Sequence, residues 1–255
     1  YALCGVLTAM LLRHFQMDGP AALVTAICVS LVIGLVCGLL NGLMVIGLNV
    51  HPFIITLGTM WIFRGIAFVM SKAESILLPG SVMAFAKANL GLSSALYPVP
   101  MLVMIGVTAA GAFYLYKTVM GRHIYAVGGN AQASRYAGLN VERITVSVFA
   151  ISGLTAGIAA FLGSAYYGSA CCGDATGYEL YVIASAVVGG ASLSGGKGSA
   201  ISAMLGAILI ILIRQSIRTM HFDQNYEWII IGAATIIAVV LDKLNTQLTL
   251  KRAMR

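Results

Sequence analysis

Ala21-Ala-Leu-Val-Thr-Ala-Ile-Cys-Val-Ser-Leu-Val-Ile-Gly-Leu-Val-Cys-Gly-Leu-Leu-Asn-Gly-Leu-Met-Val-Ile-Gly-Leu48 carries no charged residue from end to end. Roughly 20 apolar residues suffice to cross the hydrocarbon core of a bilayer, so this stretch reads as a membrane span with length to spare. Gly34, Gly38 and Gly42 recur within it at every fourth position, on one helical face, where another helix can approach at backbone distance. Glycine is common in membrane helices generally. The stripe therefore points to tight helix packing and says nothing of a substrate.

The same reading extends outward along the chain. Tyr1 to Leu12 looks like the tail of a span, and Phe53 to Met70 follows Pro52. Val99 to Val119, Ile144 to Ala165, Tyr178 to Ser192, Ser199 to Ile213 and Glu227 to Leu241 complete a set of about eight. Tyr178 to Ser192 is short enough to be a re-entrant half-helix. Tyr1 opens inside an apolar run, so part of the N-terminal region is expected to be missing. No polar linker divides residues 1–255, and the expected fold is one all-α, polytopic transmembrane domain.

Composition agrees. Hydrophobic residues make up 60% and charged residues 9% of the 255, whereas about a quarter of a soluble domain is charged. The net charge of +7 is spread between spans, and no stretch is dense enough to track a nucleic-acid backbone. Cys4, Cys28, Cys37, Cys171 and Cys172 form no CxxC pair and read as small packing residues. Residues 120–143 hold Arg122, Arg135 and Arg143 against Glu142; the tail beyond Leu241 holds Lys243, Lys251, Arg252 and Arg255 against Asp242. Both are expected on the cytoplasmic side, and the four crossings between them agree with that. Glu74, Asp174, Glu179, Asp223 and Glu227 then fall outside or at the outer boundary.

Inside the third apolar stretch, Thr56, Thr59 and Phe63 share a face and are candidates for a polar translocation pathway. The alternative is that both hydroxyls bond carbonyls of their own helix. Arg64 is costly in hydrocarbon unless paired or snorkelling to the outer surface. Residues 120–143 are too polar to span. Within them Ala131 to Ala137 forms a helix-prone run, with Asn130 as N-cap and Gly138 as stop. A short helix of about two turns on the inner surface is expected.

The run Gly121-Arg-His-Ile-Tyr-Ala-Val-Gly-Gly-Asn-Ala-Gln-Ala-Ser-Arg-Tyr-Ala-Gly-Leu-Asn140 is similar to the cytoplasmic coupling segment of ATP-binding-cassette (ABC) importer permeases for monosaccharides, the ribose, xylose, arabinose and galactoside family. Pro52-Phe-Ile-Ile-Thr-Leu-Gly-Thr-Met-Trp-Ile-Phe-Arg-Gly65 resembles that family's signature span, preceded by Asn41-Gly-Leu-Met-Val. Val188-Gly-Gly-Ala-Ser-Leu-Ser-Gly-Gly-Lys-Gly-Ser199 resembles its glycine-rich hairpin. The resemblance runs from about Tyr1 to Leu241. It implies a permease domain in a bacterial plasma (inner) membrane. Gly128, Gly129, Asn130, Ala133, Arg135, Tyr136, Ala137 and Gly138 would meet a separate ATPase subunit. It further implies a soluble substrate-binding protein and a second permease copy, as homodimer or heterodimer. ATP and Mg would be used by the partner ATPase, with no cofactor bound by this chain.

Gly196-Lys197 is not a phosphate-binding loop, because Ala191 stands where that pattern needs glycine and Gly198 where it needs Ser or Thr. His14, His51, His123 and His221 are scattered, so no catalytic or metal site is expected. Two rivals stay open: an ion-coupled secondary transporter, which needs intramembrane acids, and a membrane enzyme. Within the permease reading, a non-sugar small polar solute is also open.

Overall fold

The computed structural model describes residues 1–48, 50–88 and 97–220, with isolated helical positions at 229, 232, 233, 236 and 240. In chain order the elements are α1 (Ala2–His14), α2 (Gly19–Leu48), α3 (Pro52–Ser71), β1 (Ile76–Leu77), α4 (Gly80–Ala86), α5 (Pro98–Lys117) and α6 (Val119–Gly129). Then come α7 (Ala131–Tyr136), α8 (Val141–Tyr167), β2 (Ser169–Ala170), α9 (Tyr178–Val188) and α10 (Ala200–Thr219). Five of these, α2, α3, α5, α8 and α10, are long and apolar enough to cross a membrane. The chain is thus a helical, multi-pass membrane protein. Of the eight spans expected, α1 and α9 are shorter apolar helices, and Glu227 to Leu241 lies outside the described residues apart from isolated positions. At 11 residues, α9 is about 16 Å long, roughly half the hydrocarbon thickness.

The described chain forms two compact units: residues 1–107 with 142–175, and residues 108–141 with 176–255. Each unit draws on two separate stretches, so no linker in the sequence marks a boundary.

The first unit is built on α2. Its buried residues Ala22, Ala26, Ser30, Gly34, Gly38 and Gly42 fall at every fourth position, which winds one small-residue ridge along the helix. Ala22 and Ala26 join a core made with Val6, Ala9 and Leu12 of α1, Ala67 of α3, Val82 and Ala86 of α4, and Phe161 and Ala165 of α8. The rest of the ridge meets α8. A Cβ at Gly34 would overlap the Gly153 carbonyl oxygen, and one at Gly38 would overlap that of Phe149. A Cβ at Gly42 would lie 3.0 Å from Val146 Cα. Ser30 Oγ donates to the Gly157 carbonyl oxygen at 2.8 Å. As α2 advances from Ser30 to Gly42, its partners recede from Gly157 to Val146, so the two helices run antiparallel. That direction matches the alternation of spans expected from the charges.

At one end of this unit β1, which follows α3, pairs antiparallel with β2, which follows α8. Leu78 N donates to the Gly168 carbonyl oxygen at 3.0 Å and extends the pairing. The ends of α3 and α8 are thereby brought together, as they must be if Glu74 and Asp174 share the outer side.

The α2–α8 crossing generates a test. Gly38→Leu should lower stability by about 1–3 kcal/mol through overpacking, read as a lower melting temperature in detergent. Gly47→Ala, whose Cβ would meet nothing within 4 Å, should melt like the parent. Equal melting of the two variants would remove the crossing from the account of stability.

Candidate functional site

In the second unit, α5 ends at Lys117 and the chain turns at Thr118 into α6. Thr118 Oγ1 accepts from Gly121 N at 3.0 Å, capping α6, and donates to the Tyr114 carbonyl oxygen at 2.6 Å. The turn is tight: a Cβ at Gly121 would overlap the carbonyl oxygens of Tyr114 and Leu115. From sequence, only the short helix at Ala131 to Ala137 is expected in residues 120–143, so α6 is an addition, formed despite Gly121, Gly128 and Gly129. The threonine three residues before Gly121 was the available signal.

α7 follows after one residue. Asn130 Oδ1 accepts from Ala133 N at 2.9 Å and caps its start. Gly138 takes φ +84°, Gly138 N donates to the Arg135 carbonyl oxygen at 3.1 Å, and Leu139 N donates to that of Ser134 at 3.0 Å. This is a left-handed glycine stop with both of its characteristic bonds. The helix buries Ser134, which is 6% exposed, and presents Gln132, Arg135 and Tyr136 outward, Tyr136 being 85% exposed. Gly128, Gly129, Asn130, Ala133, Ala137 and Gly138 are also exposed. Ala131, Gln132, Arg135, Tyr136 and Val141 line an open concavity of about 370 Å³.

Beside this segment lies the glycine-rich loop between α9 and α10. These helices pack antiparallel at backbone distance. A Cβ at Gly206 would overlap the Ser185 carbonyl oxygen, and one at Gly189 would overlap that of Ser202. The loop is pinned internally by Ser192 N donating to the Lys197 carbonyl oxygen at 3.1 Å. Ser199 Oγ accepts from Ser202 N at 3.1 Å and caps α10. Gly195 and Gly196 have φ of +88° and +73°, which bring their backbone onto the end of α6. A Cβ on Gly128 would lie 2.7 Å from Gly196 N, and one on Gly196 would lie 2.8 Å from Gly129 Cα. Tyr125 of α6 donates its phenol to the Gly198 carbonyl oxygen at 2.7 Å. Burial pushes the Tyr125 pKa above the ordinary phenol value, and neighbouring Tyr116 adds to this, so the phenol stays a donor. At the other end of α9, Arg214 of α10 lies over the Tyr178 and Tyr181 rings, 5.7 and 5.2 Å from their centroids. Neither contact is visible from sequence, since both join residues distant in the chain.

The candidates on α3 belong to the first unit and form a separate group. Thr56 Oγ1 donates to the Phe53 carbonyl oxygen at 3.2 Å, and Thr59 Oγ1 donates to that of Thr56 at 3.1 Å. Both hydroxyls are thus bonded along their own helix. Thr59 is buried, and Phe63 packs against the core. Arg64 Nη1 donates to the Cys172 carbonyl oxygen at 3.5 Å, a long bond to the loop that Asp174 also braces by accepting from Cys171 N at 2.8 Å.

With fold and site in place, the chain can be assigned: it belongs to the family of transport permeases described as "Branched-chain amino acid transport system / permease component", which matches residues 1–239. Its similarity extends to individual members. The D-allose transport system permease protein AlsC of Escherichia coli K12 is 36% identical over 95% of this chain and 72% of its own length. The ribose import permease protein RbsC of Haemophilus influenzae is 35% identical over 94% and 73%, respectively. The fructose import permease protein FrcC of Rhizobium meliloti is 31% identical over 90% and 64%. No solved structure matches the chain significantly. The resemblance to monosaccharide importer permeases expected from the sequence is borne out.

The backbone contact at Gly128 yields a paired prediction. Gly128→Ala drives a methyl against the Gly196 backbone, whereas the same change at Gly129 meets nothing within 4 Å. Gly128→Ala should therefore cost about 1–3 kcal/mol and lower the detergent melting temperature. Gly129→Ala should leave the melting temperature level or raise it. The reverse order would show that the loop does not rest on α6 as described.

Proposed function

We propose that the chain is the membrane-spanning permease subunit of an ABC importer that carries a sugar or sugar-like solute into the cell. The reading is supported by its family and by relatives named for allose, ribose and fructose. The observation that supports the mechanism is α7: a helix of six residues, capped at both ends, with Arg135 and Tyr136 exposed. A helix this short has no stability of its own. Its caps and its docking on α6 hold it ready for contact. The partner is an ATPase subunit that binds ATP and Mg, and its closure displaces α7 and rocks the spans. A soluble binding protein delivers solute from outside, and a second permease copy completes the channel. The membrane is the bacterial inner membrane.

Among the described residues, Asp18, Glu74, Glu142, Asp174 and Glu179 lie in loops or in the first turn of a helix. None sits in the interior of a candidate span to take up a coupling ion, which disfavours the ion-coupled rival. The family's description names amino-acid transport, and it favours a second reading in which the solute is a non-sugar small polar molecule.

Reconstituted with its ATPase and binding protein, the permease should support uptake that stops without nucleotide. That uptake should persist when proton and sodium gradients are collapsed. Arg135→Cys and Gln132→Cys should cross-link to the ATPase, whereas a cysteine at buried Ser134 should not. Competition by sugars against amino acids separates the two solutes. Uptake by the permease alone, driven by an ion gradient, would overturn the ABC reading.

A further inference from the structure

The glycine-rich loop of residues 189–198 is joined to the coupling segment by direct backbone contact. Gly128 and Gly196 meet backbone to backbone, and Tyr125 adds a hydrogen bond to Gly198. Such a contact has no flexible side chain between its partners to absorb a displacement. Only Asn130 separates α6 from α7, and its side chain caps α7, so the pose of α7 follows the end of α6. On the far side, α9 and α10 are locked together at Gly189–Ser202 and at Ser185–Gly206, and Arg214 ties α10 to Tyr178 and Tyr181. Every link in this series lies within one compact unit.

We infer that the loop is a fixed second arm of the coupling segment, and that the α9–α10 hairpin is the element moved when α7 is displaced. Tyr125 is the positioning residue of this linkage: it touches neither solute nor nucleotide and acts by keeping the loop on α6. The half-length α9 suits a moving part, because discontinuous helices in transporters border the solute path. The inference rests on the reading of α7 as the ATPase-facing element and adds where the motion goes.

The test uses the complete transporter in proteoliposomes, with solute uptake and ATP hydrolysis measured together. Tyr125→Phe removes one hydroxyl and keeps the ring. It should lower uptake per ATP hydrolysed by about fivefold, the factor to which one hydrogen bond of ordinary net strength corresponds. Assembly with the ATPase should stay at the parental value and the melting temperature should fall by only a few degrees, whereas a merely structural role would lower uptake and hydrolysis together and leave their ratio unchanged. Spin labels at Arg122→Cys and Ser194→Cys, both exposed positions, should keep one separation with and without ATP. A parental ratio of uptake to hydrolysis in Tyr125→Phe would overturn the inference, as would a label separation that changes with nucleotide. Loss of ATPase assembly in Tyr125→Phe would also overturn it, because the residue would then belong to the docking surface. If the parental complex itself shows no nucleotide-dependent uptake, the proposed function fails first and the inference with it.

Discussion

Lipid tails are as apolar as leucine, so a membrane helix gains little by trading lipid for an apolar neighbour. Association must come from dense contact and from the few hydrogen bonds that backbones or small polar side chains can make. The crossing of α2 on α8 meets that constraint in the first unit. Gly34, Gly38 and Gly42 on one helix and Gly153 and Gly157 on the other let the backbones touch, and Ser30 adds a bond to the Gly157 carbonyl. The remaining elements attach to this pair. α1 and α4 cover the alanine end of the α2 ridge, and the β1–β2 pairing ties the end of α3 to that of α8.

The second unit repeats the solution with different parts. There, glycines serve two distinct ends. Gly189 and Gly206 are absent-side-chain contacts inside a helical hairpin, as on α2 and α8. Gly195 and Gly196 are needed for their positive φ, without which the loop could not turn its backbone toward α6. The first kind of glycine fixes a distance and the second a direction. Together they explain why the loop of residues 189–198 is so rich in glycine.

What was legible in the sequence was the local chemistry. The four-residue period of the α2 stripe announced close packing, and Asn130 with Gly138 announced the two ends of α7. Each signal is read within a turn or two of helix. The partner of the stripe was not legible, because Gly153 and Gly157 lie far along the chain and a period does not say what it faces. The same limit hid the contact of Gly128 with Gly196 and the placing of Arg214 over two tyrosines. Thr56 and Thr59 carried two readings from one spacing, and the structure adds that both hydroxyls bond carbonyls of their own helix. α6 was not among the expected elements, and its three glycines weaken the helix signal. Contacts at Thr118 and Tyr125 supply what propensity withholds.

A solute path and an energy input make opposite demands on a protein. The path must bind weakly at several places, so that the solute can leave again. The input must be stiff, or displacement is lost in side-chain rearrangement. The distribution of residue types in the described chain follows this division. On the proposed function, long apolar helices with threonines bonded to their own backbone would offer a solute few strong contacts. The surface segment around α7 is instead fixed by side-chain caps, a left-handed glycine stop and a backbone contact. The described acids are kept to loops and first turns, and on the proposed function the driving input is a push delivered at that surface. On the proposed function, the backbone contacts at Gly128–Gly196 and within the α9–α10 hairpin supply the stiffness through which nucleotide closure would be felt.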